Sequence, residues 1–229
     1  MKNIGIVGGL GPESTLDYYR GIIAAFAQGG DFNYPQIFIH SLNLGAVLEM
    51  FQDQAWGKLT DLLVDSIQSL ERAGAQFAAI ASNTPHLVFD QVQERSPLPL
   101  ISIVKATQER ALALGLKRPG LLGTLTTMGS DLYQRAFAPH SLEVAVPPPE
   151  DQALIQQRLD NEIELGIIKD STRGELLEIV ARLKQAEGID SVILGCTELP
   201  LILDRDELDL AFLNTAAIHV DAIVDYCRD

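Results

Sequence analysis

The sequence predicts an α/β fold of parallel sheets flanked by helices, and three observations predict it. Short apolar runs alternate with stretches of helical period along the whole chain. Most of the runs end in a small or polar turn that opens the next helix. The cycle also occurs twice with the same grammar: residues 77–81 lead into Ser82-Asn83-Thr84-Pro85-His86, and residues 191–194 lead into Gly195-Cys196-Thr197-Glu198. The repeat predicts two pseudo-symmetric lobes, residues 1–102 with 205–229 and residues 103–204, with an active site in the cleft between them. With 229 residues, 47% of them hydrophobic, the chain has material for a sizeable core.

Taken in order, residues 3–7 form a buried strand, Gly8-Gly9-Leu10-Gly11-Pro12 a turn, and residues 13–26 a helix with Pro12 near its first position. Residues 35–40 are a second strand, and residues 41–52 a loop or short helix near the site. Residues 55–73 are a long amphipathic helix, because Leu59, Leu62, Leu63, Ile67 and Leu70 recur at helical spacing. Residues 76–81 are the third strand, 85–95 a helix, 99–103 a return to the sheet and 105–116 a helix. The second cycle places a strand at 120–123, a helix at 130–137 and a strand at 142–146. Pro147-Pro148-Pro149 then breaks the chain before helices at 151–165 and 172–185. A strand at 191–194, a short helix at 199–203 and a last strand at 209–213 follow. A closing helix at 216–226 crosses back to the first lobe. Such alternation implies right-handed crossovers between parallel strands.

Composition narrows the function. The formal charge of -14, from 31 acidic and 17 basic residues, repels phosphate backbones and anionic bilayers, so neither nucleic acid nor a membrane is an expected partner. No apolar run approaches the ~20 residues of a membrane span. A strand that begins at residue 3 leads us to expect no leader peptide. Two distant cysteines without metal spacing suit a reducing cytoplasm. The four histidines lack metal-site spacing, so no metal is expected.

Several residues point to chemistry, each beside a plainer reading. Gly9-x-Gly11 is followed by Ser14 where a dinucleotide fingerprint needs its third glycine, and the second strand ends in Ile39-His40-Ser41 without a ribose-binding acid. That turn is either a tight strand–helix link or a set of backbone N–H groups for a carboxylate, next to a helix start that favours an anion. Cys196 is either a small core residue or, at the start of a helix, a thiol whose pKa falls below ~8.5 and which serves as base or nucleophile. Cys227, in the last helical turn, reads as structural. Ser82-Asn83-Thr84 is either a helix cap or the wall opposite Cys196. His86 either polarises Ser82 or caps. Thr124, Thr126 and Thr127 either bind an amino acid or cap. A serine hydrolase is disfavoured because Gly-x-Ser-x-Gly is missing.

Gly8-Gly9-Leu10-Gly11-Pro12-Glu13-Ser14-Thr15, Asn83-Thr84-Pro85-His86 and Gly195-Cys196-Thr197-Glu198 together resemble the aspartate/glutamate racemase family, whose signatures read C-N-T-x-H and G-C-T-E. The resemblance covers essentially the whole chain, including Gly123-Thr124, Met128 and Thr215-Ala216-Ala217-Ile218-His219. It implies a cofactor-independent racemase in which two thiols flank the substrate's α-carbon. One thiolate removes the α-proton and the other thiol delivers a proton to the opposite face. By position, Cys196 is one acid/base. Asn83, Thr84, Thr127 and Thr197 bind the carboxylate and amine of a small amino-acid substrate, with backbone at Leu10 and Gly11. A homodimer is implied too.

The sequence departs from the family pattern in three places. Ser82 stands at the position of the first cysteine, and a hydroxyl is too weak an acid to hold a resting anion. An engineered exchange, a natural one-cysteine form and a changed reaction all remain open. One subgroup carries threonine there, and a related decarboxylase branch uses the second cysteine alone. Aspartate-selective members place an arginine near Val47-Leu48 and a lysine near Glu164, where this chain is apolar and acidic. That is closer to broad-specificity or L-specific members, in which Gln52 lines the pocket. Asn214 replaces an aspartate common before Thr215. The expected function is therefore an amino-acid racemase. The alternatives are a one-cysteine decarboxylase or isomerase of a small diacid, or a non-catalytic amino-acid-binding protein.

Overall fold

Every one of the five residues of the first strand is buried, as a strand with helices on both faces requires. The computed structural model describes residues 1–27 and 33–229. In order, the elements are β1 (Ile4–Gly8), α1 (Pro12–Phe26), β2 (Ile37–Ser41), α2 (Leu44–Gln52), α3 (Trp56–Ala73), β3 (Phe77–Ile80), α4 (Phe89–Arg95), β4 (Leu100–Ile101) and α5 (Ile103–Ala113). There follow β5 (Pro119–Leu122), α6 (Leu125–Gly129), α7 (Leu132–Phe137), α8 (Pro149–Asn161), α9 (Asp170–Glu187), β6 (Ser191–Leu194), β7 (Ala211–Asn214) and α10 (Thr215–Arg228). The chain divides into two compact units, Met1–Ala106 with Ala216–Asp229, and Thr107–Thr215.

In the first unit the strands run parallel in the order β2-β1-β3-β4. Successive side chains of a strand point to opposite faces, so the sheet feeds two cores. Ile4, Ile6, Phe77 and Ala79 pack with Tyr18 and Ile22 of α1 and with Val220, Ile223, Val224 and Cys227 of α10. Val7, Ala78 and Ile80 pack with Val47 of α2, Leu59, Leu63, Ile67 and Leu70 of α3, and Val92 of α4. Full burial of each such aliphatic side chain contributes about 1.5–3 kcal/mol.

The second unit repeats this plan. Its strands are parallel in the order β5-β6-β7. On the free side of β5 lies one parallel bridge, Gly120 with Ala145, closed by Leu121 N–H to Ala145 O at 2.8 Å and Ala145 N–H to Pro119 O at 3.0 Å. Counting that bridge as a second strand, both sheets have the order second-first-third-fourth. α8 and α9 are joined by Arg158–Glu175 and Arg182–Asp151 pairs. Among the described residues, no helix is long and apolar enough to cross a membrane.

The parallel sheets and flanking helices are as the sequence predicts, and several details differ. The strand expected at 142–146 shrinks to the Ala145 bridge, because Pro147-Pro148-Pro149 follows and proline has no N–H to extend a ladder. The strand expected at 209–213 begins two residues later, after Leu208 and Asp209 turn through φ of 56° and 53°. The helix expected at 130–137 begins at Leu132, and a separate short helix, α6, precedes it; between them Ser130 turns extended and its hydroxyl donates to Thr127 O at 2.9 Å. The helix at 85–95 is a 3-10 turn, Thr84–Val88, ahead of α4. The helix at 151–165 stops at Asn161, and a separate 3-10 turn, Ile163–Leu165, follows. Residues 205–215 were expected in the first lobe. They lie in the second unit because β7 pairs with β6.

Candidate active site

In each unit the predicted site residues other than Gln52 lie at the carboxyl ends of two adjacent strands, where open α/β sheets bind ligands. In the first unit these are the ends of β1 and β3. The turn after β1 needs glycine at Gly9, whose φ is 77° and where a Cβ would meet Leu42 O at 2.4 Å. Gly9 N–H donates to Thr15 Oγ1 at 2.9 Å, so that donor is satisfied within the turn. Ser14, at the position of the missing third glycine, donates through its buried hydroxyl to Ala81 O at 3.4 Å and ties the start of α1 to the end of β3. Leu10 is buried and Gly11 half-buried beside it.

After β3 comes Ser82, half-buried, with Asn83 and Thr84 buried. His86 Nδ1 lies 2.9 Å from the Ser82 carbonyl oxygen, and Ile103 N–H donates to His86 Nε2 at 3.2 Å. A carbonyl only accepts and a backbone N–H only donates, so the ring proton is on Nδ1. His86 therefore fixes the Ser82 backbone and does not polarise its hydroxyl. Burial, together with neighbouring His219, lowers its pKa to about 3, so the ring is neutral. His219 is locked the same way: Tyr18 OH donates to Nδ1 at 2.8 Å, and Nε2–H donates to Ile101 O at 2.9 Å. Burial lowers its pKa to about 4.

In the second unit the site residues sit at the ends of β5 and β6. Thr124 caps α6, accepting from Thr127 N–H at 3.2 Å, and the two hydroxyls are 3.0 Å apart. Thr127 is wholly buried. The chain leaves β6 through Gly195, whose N–H donates to Leu122 O at 2.6 Å. A Cβ there would meet Leu121 Cδ1 at 2.7 Å and Leu122 O at 3.0 Å, with Thr127 Cγ2 at 3.6 Å, so only glycine brings the next residue to this position. That residue is Cys196. The residue is 6% exposed, and its thiol donates to Glu198 Oε2 at 3.1 Å; Thr197 Oγ1 donates to the same oxygen at 2.8 Å.

This corrects the expected thiolate. Burial, then the negative charge of Glu198, pushes the Cys196 thiol well above its usual range, and Glu164 adds to the effect. The helix start after it is only the three-residue 3-10 turn Leu199–Leu201, whose dipole is too short to outweigh burial and that charge. Glu164 reaches solvent, yet desolvation followed by the charges of Glu198 and Asp160 raises its carboxyl to about 7. The turn that carries Glu164 is held by buried Glu162, which accepts from Thr172 and pairs with Arg158 and Lys169 at 3.2 Å.

The strand ends of the first unit thus hold Leu10, Gly11, Ser82, Asn83 and Thr84, and those of the second hold Thr127, Cys196 and Thr197. Gln52 lies elsewhere, exposed on the last turn of α2. Cys227 is buried and donates to Lys2 O at 3.1 Å, as a structural thiol would. Glu198 and Ser14 stand beside these residues and were not among the predicted site residues, although Glu198 lies inside the G-C-T-E signature and Ser14 in the first turn of α1. Among the described residues, no group of three or more His, Cys, Asp and Glu is arranged to hold a metal.

Duplicated parallel sheets with polar loops at the ends of corresponding strands define a class of α/β protein shared with known racemases. Residues 7–223 match the model of the Asp/Glu/hydantoin racemase family. The broad specificity amino-acid racemase RacX of Bacillus subtilis (strain 168) is 24% identical, with 93% of each chain covered. The structure of an aspartate racemase homologue from Pyrococcus horikoshii OT3 superposes with a TM-score of 0.87 at 36% identity over all of both chains. That of the Picrophilus torridus aspartate racemase shares the fold, with a TM-score of 0.80 at 18% identity, over 100% of this chain and 95% of that one. The chain belongs to the Asp/Glu/hydantoin racemase family.

Proposed function

We propose that this protein is a cofactor-independent amino-acid racemase in which Cys196 exchanges the α-proton on one face of the substrate and Ser82 stands on the other. The observation that carries the reading is the buried Cys196 thiol at the carboxyl end of β6, the strand that corresponds in the internal repeat to the one ending at Ser82. Family membership supports it, as do the racemase names of the relatives. Donors around Asn83, Thr84, Thr127 and Thr197, with the Leu10–Gly11 backbone, hold the carboxylate and amine and so stabilise the carbanion. Apolar Val47 and Leu48, with acidic Glu164, supply no cation for a side-chain carboxylate, which favours a broad range of small amino acids over aspartate alone. The working form is a cytoplasmic homodimer, which sedimentation tests.

Because serine cannot hold a resting anion, the two faces are unequal. In heavy water one enantiomer gains α-deuterium, by analogy the L form, while net racemisation is slow. Ser82→Cys raises racemisation from both enantiomers, measured by chiral chromatography. No gain in Ser82→Cys, with equal and fast racemisation of both enantiomers by the unaltered protein, overturns the reading.

The protonated state of Cys196 favours a second reading, a one-cysteine decarboxylase of substituted malonates. There loss of carbon dioxide makes the carbanion and Cys196 need only protonate it. Carbon dioxide release from such diacids, with no α-exchange of amino acids, selects it.

A further inference from the structure

The feature the racemase reading leaves unused is the carboxylate two residues beyond the thiol. Cys196 Sγ and Thr197 Oγ1 converge on one oxygen, Glu198 Oε2, at 3.1 and 2.8 Å. A carboxylate only accepts, so the proton of that first contact belongs to sulfur. The 3-10 turn at Leu199–Leu201 makes the arrangement: Leu199 N–H donates to Cys196 O at 3.1 Å and Leu201 N–H to Glu198 O at 3.0 Å, which folds the glutamate back toward the thiol. The other ionisable group acting on the sulfur is Glu164, on the turn after α8, and it is also acidic.

We propose that Glu198 is a positioning residue for Cys196: its carboxylate accepts the S–H, aims the sulfur and keeps the proton on it between turnovers, so that the thiolate that takes the α-proton is a small and strongly basic fraction. The proposal rests on the racemase reading. The S–H first gives its proton to water. The thiolate then takes the α-proton, so that the C–H bond breaks with its pair left on carbon and an S–H bond forms. In the return step that S–H bond breaks, its pair stays on sulfur and the carbanion's pair forms the new C–H bond. The thiolate left behind faces Glu198, and that repulsion makes it a stronger base. It regains a proton from water or takes the α-proton of the same enantiomer again. Thr197 moderates the effect by sharing the carboxylate.

The test is a pH titration of thiolate ultraviolet absorbance in a Cys227→Ser background, where Cys196 is the only thiol. Glu198→Gln keeps an acceptor and removes the charge. It moves the midpoint down by about one pH unit or more, with about tenfold more thiolate at a given pH below it. Thr197→Val frees the carboxylate and moves the midpoint up, and it decides the matter if the glutamine variant does not fold. A Glu198→Gln midpoint that stays put or rises, or a Thr197→Val midpoint that stays put or falls, overturns the proposal. In amino-acid exchange the rising limb of the pH profile shifts down together with the thiol midpoint. If no amino acid exchanges its α-proton while the midpoint still moves, the functional reading has failed and the role of Glu198 stands.

Discussion

Cys196 and Ser82 occupy corresponding places after β6 and β3, but their surroundings differ. The thiol is buried against a carboxylate, whereas the serine is half-buried on a backbone pinned by His86. Cys196→Ser therefore removes α-deuterium exchange by about 100- to 10,000-fold, the usual contribution of a positioned acid/base, as read by mass spectrometry. Because the thiol's pKa is raised, the thiolate is scarce at neutral pH. Exchange by the unaltered protein rises about tenfold per pH unit through the neutral range. Gly195→Ala drives a Cβ onto Leu121 and the Leu122 carbonyl, and destabilises the chain by about 1–3 kcal/mol in urea denaturation. The place of Cys196, Asn83 and Thr84 just after strands was legible in the sequence from the apolar runs before them. The sequence did not reveal the protonation state of the thiol, because that depends on a 3-10 turn bringing Glu198 back onto sulfur and on burial, and neither leaves a periodic signal.

At the scale of elements, the first unit is held by two neutral histidines that join the loop after β3, the segment around β4, and α10. Their pKa values, about 3 and about 4, lie below the ~6.5 of an unfolded chain. As pH falls below ~6.5 the unfolded state takes up protons that the folded state refuses. Their contribution to stability is thus complete above that pH and declines toward pH 4. Urea midpoints measured from pH 7.5 to 4.5 fall accordingly, and fall less in His219→Gln, which has one such group fewer. A midpoint independent of pH across that range contradicts this account. The long amphipathic α3 and the apolar strands were legible from period alone. The 3-10 turn at Thr84–Val88 and the break between α6 and α7 were not, because single hydrogen bonds such as that of Ser130 decide them.

For the whole molecule, the repeat was visible in the sequence as two strand-to-polar-turn transitions, and the sheets carry it in their strand order. The second strand of the second cycle is over-read from its pattern at 142–146, because three prolines cut it to one bridge. The ownership of residues 205–215 is a matter of long-range pairing with β6, which local sequence does not encode. The repeat makes β3 and β6 corresponding strands, the first followed by the hydroxyl of Ser82 and the second by the thiol of Cys196.

The measurement that bears most directly on this is α-deuterium incorporation and chirality, followed separately for each enantiomer of several small amino acids in heavy water. The account predicts exchange with retention from one enantiomer, little inversion, lost in Cys196→Ser and made two-sided in Ser82→Cys. Rapid inversion of both enantiomers by the unaltered protein, or exchange that survives Cys196→Ser, would contradict it.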